Sequence, residues 1–157
     1  MKSLIAFLVF VVSIGTAAAA ALGGAPFAST LNPAALQFKL PVDIPWHDTT
    51  TGAKQAILVG DPAKPGLYVV MNKFEPGHYS MPHFHPNDRY ITVIKGTWWV
   101  GTGNKYDPEH NTVPMPTGTF VTHFAKQVDY DGAKNEEVIL LIVGQGPATA
   151  TQVPVAK

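Results

Sequence analysis

From Leu36 onward the chain alternates short runs of β-branched and aromatic residues with clusters of Gly, Pro, Asn and Asp. The runs at 55–59, 67–74, 90–95, 97–100, 119–124 and 138–143 predict strands that bury one face. The punctuation between them, Gly60-Asp61-Pro62, Lys64-Pro65-Gly66, Glu75-Pro76-Gly77, Gly101-Thr102-Gly103-Asn104, Pro114-Met115-Pro116-Thr117-Gly118 and Gly144-Gln145-Gly146-Pro147, predicts turns. In each, Pro fixes φ or Gly supplies a positive one. Helical periodicity is missing beyond the first twenty-odd residues, apart from a short turn at Pro33 to Leu36. The expected fold class is therefore all-β, a single sandwich or barrel of antiparallel strands.

The start of the chain follows a different rule. Lys2 precedes an apolar stretch at 4–14 and small residues at 16–21, the pattern of a secretory signal peptide over 1–21. The apolar stretch falls short of the roughly 20 residues that span a bilayer. An uncleaved anchor is the alternative, but no basic flank follows to stop transfer. Residues 22–35, rich in Ala, Gly, Ser and Pro, read as a flexible mature N-terminus, and 36–157 as the folded domain. The expected location is secreted or periplasmic, with no membrane attachment after cleavage.

Composition narrows the function. Lys+Arg 11 balance Asp+Glu 11, so there is no basic footprint for nucleic acid or an anionic membrane surface. Among the 157 residues 46% are hydrophobic, enough for a core, and Gly 14 with Pro 14 stays below the roughly 25–30% of low-complexity chains. There is no Cys, which excludes disulfides, thiol nucleophiles and Cys-ligated metal centres. Any metal must be held by His, carboxylate or water.

The candidate chemistry lies between Gly77 and Gly96. His83 and His85 are two residues apart, so on extended backbone both imidazoles leave one face, half of a site for zinc, iron or manganese. The series Gly77, five residues, His83, one residue, His85 and finally Gly96 resembles the first motif of the cupin superfamily, G-x5-H-x-H-x3,4-E-x6-G. A degraded second motif, G-x5-P-x-G-x2-H-x3-N, follows from Gly118, with Phe124, Lys126, Asp129 and Ala133 at the positions of its Pro, Gly, His and Asn. The resemblance covers about residues 55–145 and implies a jelly-roll β-barrel with its site inside.

It also implies four metal ligands, of which His83 and His85 are kept, while Arg89 stands at the Glu position and Asp129 at the last His position. Two His and one carboxylate still form a facial set for a divalent ion such as Fe, Mn or Zn, which makes His83, His85 and Asp129 the expected ligands. Arg89, the only arginine, cannot ligate a cation. At about 5 Å and an effective dielectric near 20 it would repel a divalent ion by roughly 6–7 kcal/mol. Either it pairs at the surface with Asp88 or Asp131, or strand parity from His85 turns it inward to pair Asp129 or hold an anionic ligand. Asp129 itself lies in Asp129-Tyr130-Asp131-Gly132, which also reads as a turn. Asp88 is a substitute ligand if Pro86 shifts the register. His123 is a further ligand-binding candidate on an alternating run, His78 a weaker one, and His47 and His110 have no partners in sequence.

Three functions remain open. One is a metal-dependent oxidoreductase of the dioxygenase kind acting on a small molecule. The second is a metal-free module that binds a small anion through Arg89. The third is a structural barrel in which an Arg89–Asp129 ion pair replaces the metal. No G-x-S-x-G elbow is present, and Ser80 near His78 has no orienting partner. A homodimer through strand edges is the expected assembly, because open edges must be covered.

Overall fold

The structure, a computed structural model, describes residues 31–156; the expected signal peptide, 1–21, and the first part of the expected flexible N-terminus, 22–30, lie outside the described residues. One compact unit begins at Lys39, and residues 31–38 belong to the segment before it. In that earlier segment the turn expected after Asn32 is present, its backbone amides at Ala34 and Ala35 bonded to Asn32. A single 3-10 turn, Pro41–Asp43, opens the compact unit. Among the described residues no helix is long and apolar enough to cross a membrane.

Eleven strands follow: β1 His47–Asp48, β2 Lys54–Val59, β3 Gly66–Phe74, β4 His83–Phe84, β5 Arg89–Lys95, β6 Thr97–Thr102, β7 Val113–Pro116, β8 Phe120–His123, β9 Asp129–Ala133, β10 Val138–Gly146 and β11 Thr151–Gln152. They form a six-stranded sheet in the order β1-β2-β3-β10-β5-β8 and a five-stranded sheet in the order β11-β4-β9-β6-β7, every pairing antiparallel. From β3 onward the chain crosses from one sheet to the other at nearly every connection, which is jelly-roll topology.

The central strands of the six-stranded sheet read as the alternation predicts. On β10, Val138, Leu140 and Ile142 are buried while Ile139, Leu141 and Val143 face outward, and β3 and β5 match it with Val70, Phe74, Ile91 and Val93. Against this face the five-stranded sheet sets Trp98, Val100 and Ala133, so one apolar core lies between the sheets. The link from β5 to β6 is a single residue, Gly96, at φ +76°; a Cβ there would collide with the Glu137 carbonyl oxygen.

All six predicted runs are strands, and three segments expected as turns are corrected. Pro114-Met115-Pro116 belongs to β7, an edge strand, where a missing N–H leaves no ladder bond unmade. Asp129-Tyr130-Asp131-Gly132 is no turn either: it forms β9, paired to β6 along its whole length. β10 likewise runs on through Gly144 and Gly146.

Candidate functional site

Between the inner faces of the two sheets lies a partly open cavity of about 310 Å³, lined also by residues of the loops at 49–51, 62–63 and 148–150. On the five-stranded side β4 and β9 meet at a single register pair, His83 opposite Asp129. Period-two alternation then puts Asp131 on the same face as Asp129. Donor atoms of His83, Asp129 and Asp131 all lie within 4.8 Å of one another, and all three residues are buried.

Each donor is aimed by a neighbour. The Nδ1 of His83 lies 2.9 Å from the Met81 carbonyl oxygen, to which it can only donate, so the lone pair is on Nε2. The carboxylate of Asp131 accepts from the Ser80 hydroxyl on one oxygen and from Trp98 Nε1, at 2.9 Å, on the other. Asp129 is different, because its Oδ2 is buried with no hydrogen bond. The nearest candidate is His123 Nδ1 at 3.4 Å. That nitrogen already accepts from Arg89 Nη2 at 3.0 Å, and a guanidinium has only donors, so His123 presents a lone pair to Asp129. No ion pair forms there: burial, then the Arg89 charge, push His123 down to about 4, which keeps it neutral. Burial and the Asp131 charge push Asp129 up to about 8, against the opposing pull of Arg89.

His85 lines the same cavity, its ring edge-on to His83 with centroids 5.0 Å apart. Both its ring nitrogens are buried and unpartnered, and burial, with Arg89 and the other imidazoles, holds it down at about 2, so it is neutral around pH 7. Its nitrogens are not part of the tight His83–Asp129–Asp131 cluster. Of the three expected ligands, then, His83 and Asp129 stand in that cluster, His85 one ring away, and Asp131 joins it.

Arg89 is inside. It is 9% exposed and lines the cavity, and its surface pairing with Asp88 or Asp131 does not occur. Nor does it pair with Asp129: among the described residues none of the ion pairs includes Arg89, and its Nε has no partner. An Arg89–Asp129 ion pair in place of a metal is thereby corrected. Asp88 is used structurally, accepting the Ala125 amide at 2.7 Å. His123 points inward and stacks on Trp98, centroids 5.3 Å apart. His78 is exposed and bonded to its own loop, and His110 to Asp107.

The residues fit a divalent cation. A buried carboxylate oxygen without a donor, a second carboxylate beside it and a fixed imidazole lone pair are what such an ion satisfies, and two carboxylates outweigh the one guanidinium that argued against it. Asp131 and Ser80 escaped notice as parts of the site because Asp and Gly are poor strand formers. The usable signal was the two-residue spacing of Asp129 and Asp131, which puts both on one face once the segment is extended.

Similarity to solved structures extends over most of the chain. A polyketide cyclase, RemF from Streptomyces resistomycificus, superposes with TM-score 0.64 at 14% identity, covering 78% of this chain and 88% of that one. An RmlC-like cupin from Shewanella frigidimarina gives 0.55 at 17%, covering 72% and 92%. The DMSP lyase DddQ from Ruegeria pomeroyi gives 0.57 at 15%, covering 73% and 64%. No family model and no curated protein matches the sequence. At these identities the likeness concerns the fold, and the fold is that of the cupins.

Proposed function

We propose that this chain is a cupin-fold enzyme acting on a small molecule, with a divalent ion held by His83, Asp129 and Asp131 and with His85 as the adjoining imidazole donor. The observation that carries this reading is the Asp129 oxygen, buried beside a second carboxylate and facing only a lone pair. Such a group needs a proton or a cation. The bound ion, Fe, Mn or Zn, would supply Lewis-acid polarisation of a substrate oxygen. A redox-active ion suits a dioxygenase-like oxidoreductase; a redox-inert one suits the kind of chemistry that the names of the cyclase and the lyase indicate. The chain's own residues do the rest. Ser80 and Trp98 fix the Asp131 carboxylate, and the Met81 carbonyl fixes the His83 tautomer.

Metal analysis and Mn²⁺ titration of the purified protein test the reading. A single ion per chain is expected, with affinity falling at least about tenfold in Asp129→Asn and in His83→Ala. Unchanged affinity in both would overturn it. A second reading, metal-free binding of a small anion at Arg89, is favoured by the unpartnered Nε of that buried guanidinium. Export behind a cleaved 1–21 segment is also proposed, on its sequence pattern; an intact N-terminus on protein recovered from outside the cytoplasm would refute the cleavage.

A further inference from the structure

One cross-strand row of the six-stranded sheet is built unlike the rows beside it. Tyr68 on β3 pairs with Gly144 on β10, Gly144 with Arg89 on β5, and Arg89 with His123 on β8, so four neighbouring inward positions hold a phenol, no side chain, a guanidinium and an imidazole. The missing side chain matters. A Cβ on Gly144 would stand 2.6 Å from the Tyr68 hydroxyl oxygen and 2.8 Å from its Cζ, so the tyrosine leans across β10 through the space that glycine leaves, toward the strand of Arg89. The phenol is 2% exposed, yet its hydroxyl has no hydrogen-bond partner among the described residues, and Arg89 has only His123. Both residues line the cavity. The next inward row, Val70, Ile142 and Ile91, is wholly apolar and lines it too, about 7 Å further along the strands.

We propose that this row is the head-group subsite of the cavity: Arg89 and the Tyr68 hydroxyl, brought together over Gly144, take the carboxylate of a small monocarboxylic acid whose apolar body lies on Val70, Ile91 and Ile142. The proposal rests on the reading of the cavity as a small-molecule site and specifies its ligand class. Charge and shape choose the head group. A guanidinium presents planar paired donors that match a carboxylate. Among the described residues Arg89 is the only Lys or Arg lining the cavity, and Asp131 lines it as well, so a singly charged carboxylate on the guanidinium meets less repulsion from the acidic side than a doubly charged phosphate would. The volume, about 310 Å³ or the space of roughly ten waters, suits a small body.

Calorimetric titration with hexanoate, hexanamide, acetate and inorganic phosphate, on chelator-treated and on Mn²⁺-loaded protein, tests this. Hexanoate is expected to bind at least about tenfold more tightly than hexanamide, which keeps the shape and loses the charge, and more tightly than acetate, which lacks the body. Arg89→Gln should remove that preference. Tyr68→Phe, which preserves the packing and so remains informative if the arginine variant does not fold, should weaken hexanoate by about tenfold and leave hexanamide unchanged. Equal binding of acid and amide, tighter binding of phosphate, or an unaltered Tyr68→Phe variant would overturn the subsite. Absence of hexanoate binding by a protein that takes up Mn²⁺ would overturn it and spare the metal reading, whereas acid-selective binding by a protein that takes up no Mn²⁺ would sink only the metal.

Discussion

The inner face of the six-stranded sheet offers the barrel rows of apolar side chains and one polar row of a phenol, a guanidinium and a neutral imidazole, whereas the facing side of the five-stranded sheet offers two carboxylates, an imidazole and a hydroxyl. Each arrangement would be costly by itself, since a lone buried cation and a pair of buried anions both lack compensation. Placed across a cavity they form a polarised slot. The two walls meet at Trp98, a β6 residue fully removed from solvent, which stacks on His123 of the opposite sheet and donates to Asp131 of its own. Trp98→Ala should therefore have the largest effect, about 3–5 kcal/mol for the cavity, plus the cost of a stranded carboxylate. A melting temperature at least about 10 °C lower is expected. Trp98→Phe, which keeps an aromatic face and loses only the N–H, should recover more than half of that loss; if it does not, the stacking across the walls carries little.

Next in size is the support of the anionic wall. Ser80→Ala removes the hydroxyl that donates to Asp131 and also accepts the Asp131 amide at 3.0 Å, so both a carboxylate oxygen and a backbone N–H lose a partner in a buried place. The expected cost is about 1–3 kcal/mol in chemical denaturation, with a roughly tenfold loss of Mn²⁺ affinity. A variant that loses stability but keeps its affinity would show that Asp131 is not a ligand.

The two walls differ as much in how far the sequence betrays them. β3, β5 and β10 are rich in β-branched and other large apolar residues, and the alternation there gives the strands and their inward residues, while the sequence leaves Arg89 open between a surface pairing and the inward position it takes. In the five-stranded sheet β6 is equally plain, but its two neighbours are written in poor strand formers. β7 carries two prolines, and β9 is Asp-Tyr-Asp-Gly-Ala, so local preference points to turns, and only pairing with β6 and burial by the rest of the barrel overrule it. The first motif was legible because its glycines are demanded by backbone shape, Gly77 at φ +79° and Gly96 at φ +76°. Its histidines followed from spacing. The partnership of Arg89 with His123, and the role of Tyr68, depend on a cross-sheet register between strands far apart in sequence, which no local pattern contains.

Acidity separates the walls as well. His85 and His123 are held far below the usual imidazole value of 6.5, so as pH falls beneath 6.5 the unfolded chain gains protons there that the folded chain refuses, and stability is lost. Asp129 works in the opposite sense. Its raised value means that the folded chain keeps a proton the unfolded chain has already released, so stability declines as pH climbs from about 4 to about 8. Below 6.5 two imidazoles outweigh one carboxyl; above it only the carboxyl acts. The metal-free protein should thus be most stable near pH 6.5, as read from melting temperatures across a pH series. Mn²⁺ should abolish the decline on the alkaline side by replacing the Asp129 proton. A decline of the same steepness with Mn²⁺ bound would place the ion elsewhere.

The smallest effect lies on the crossing from one wall to the other, between β8 and β9. Lys126, at the position that the second cupin motif gives to glycine, has φ +62°, and its amide donates to the His85 carbonyl oxygen at 2.7 Å. The left-handed backbone is kept although the residue that favours it is gone, at a cost of about 1–2 kcal/mol for a side chain with a Cβ. Lys126→Gly relieves that strain but also frees the unfolded chain, which returns roughly 0.4–1 kcal/mol. A net gain of about 0.5–1 kcal/mol is expected, with Mn²⁺ affinity unchanged, because the bond to His85 is made by the backbone and survives. A loss of stability instead would mean that the lysine side chain contributes to joining the walls, and that the degraded motif is compensated at the residue where it departs most.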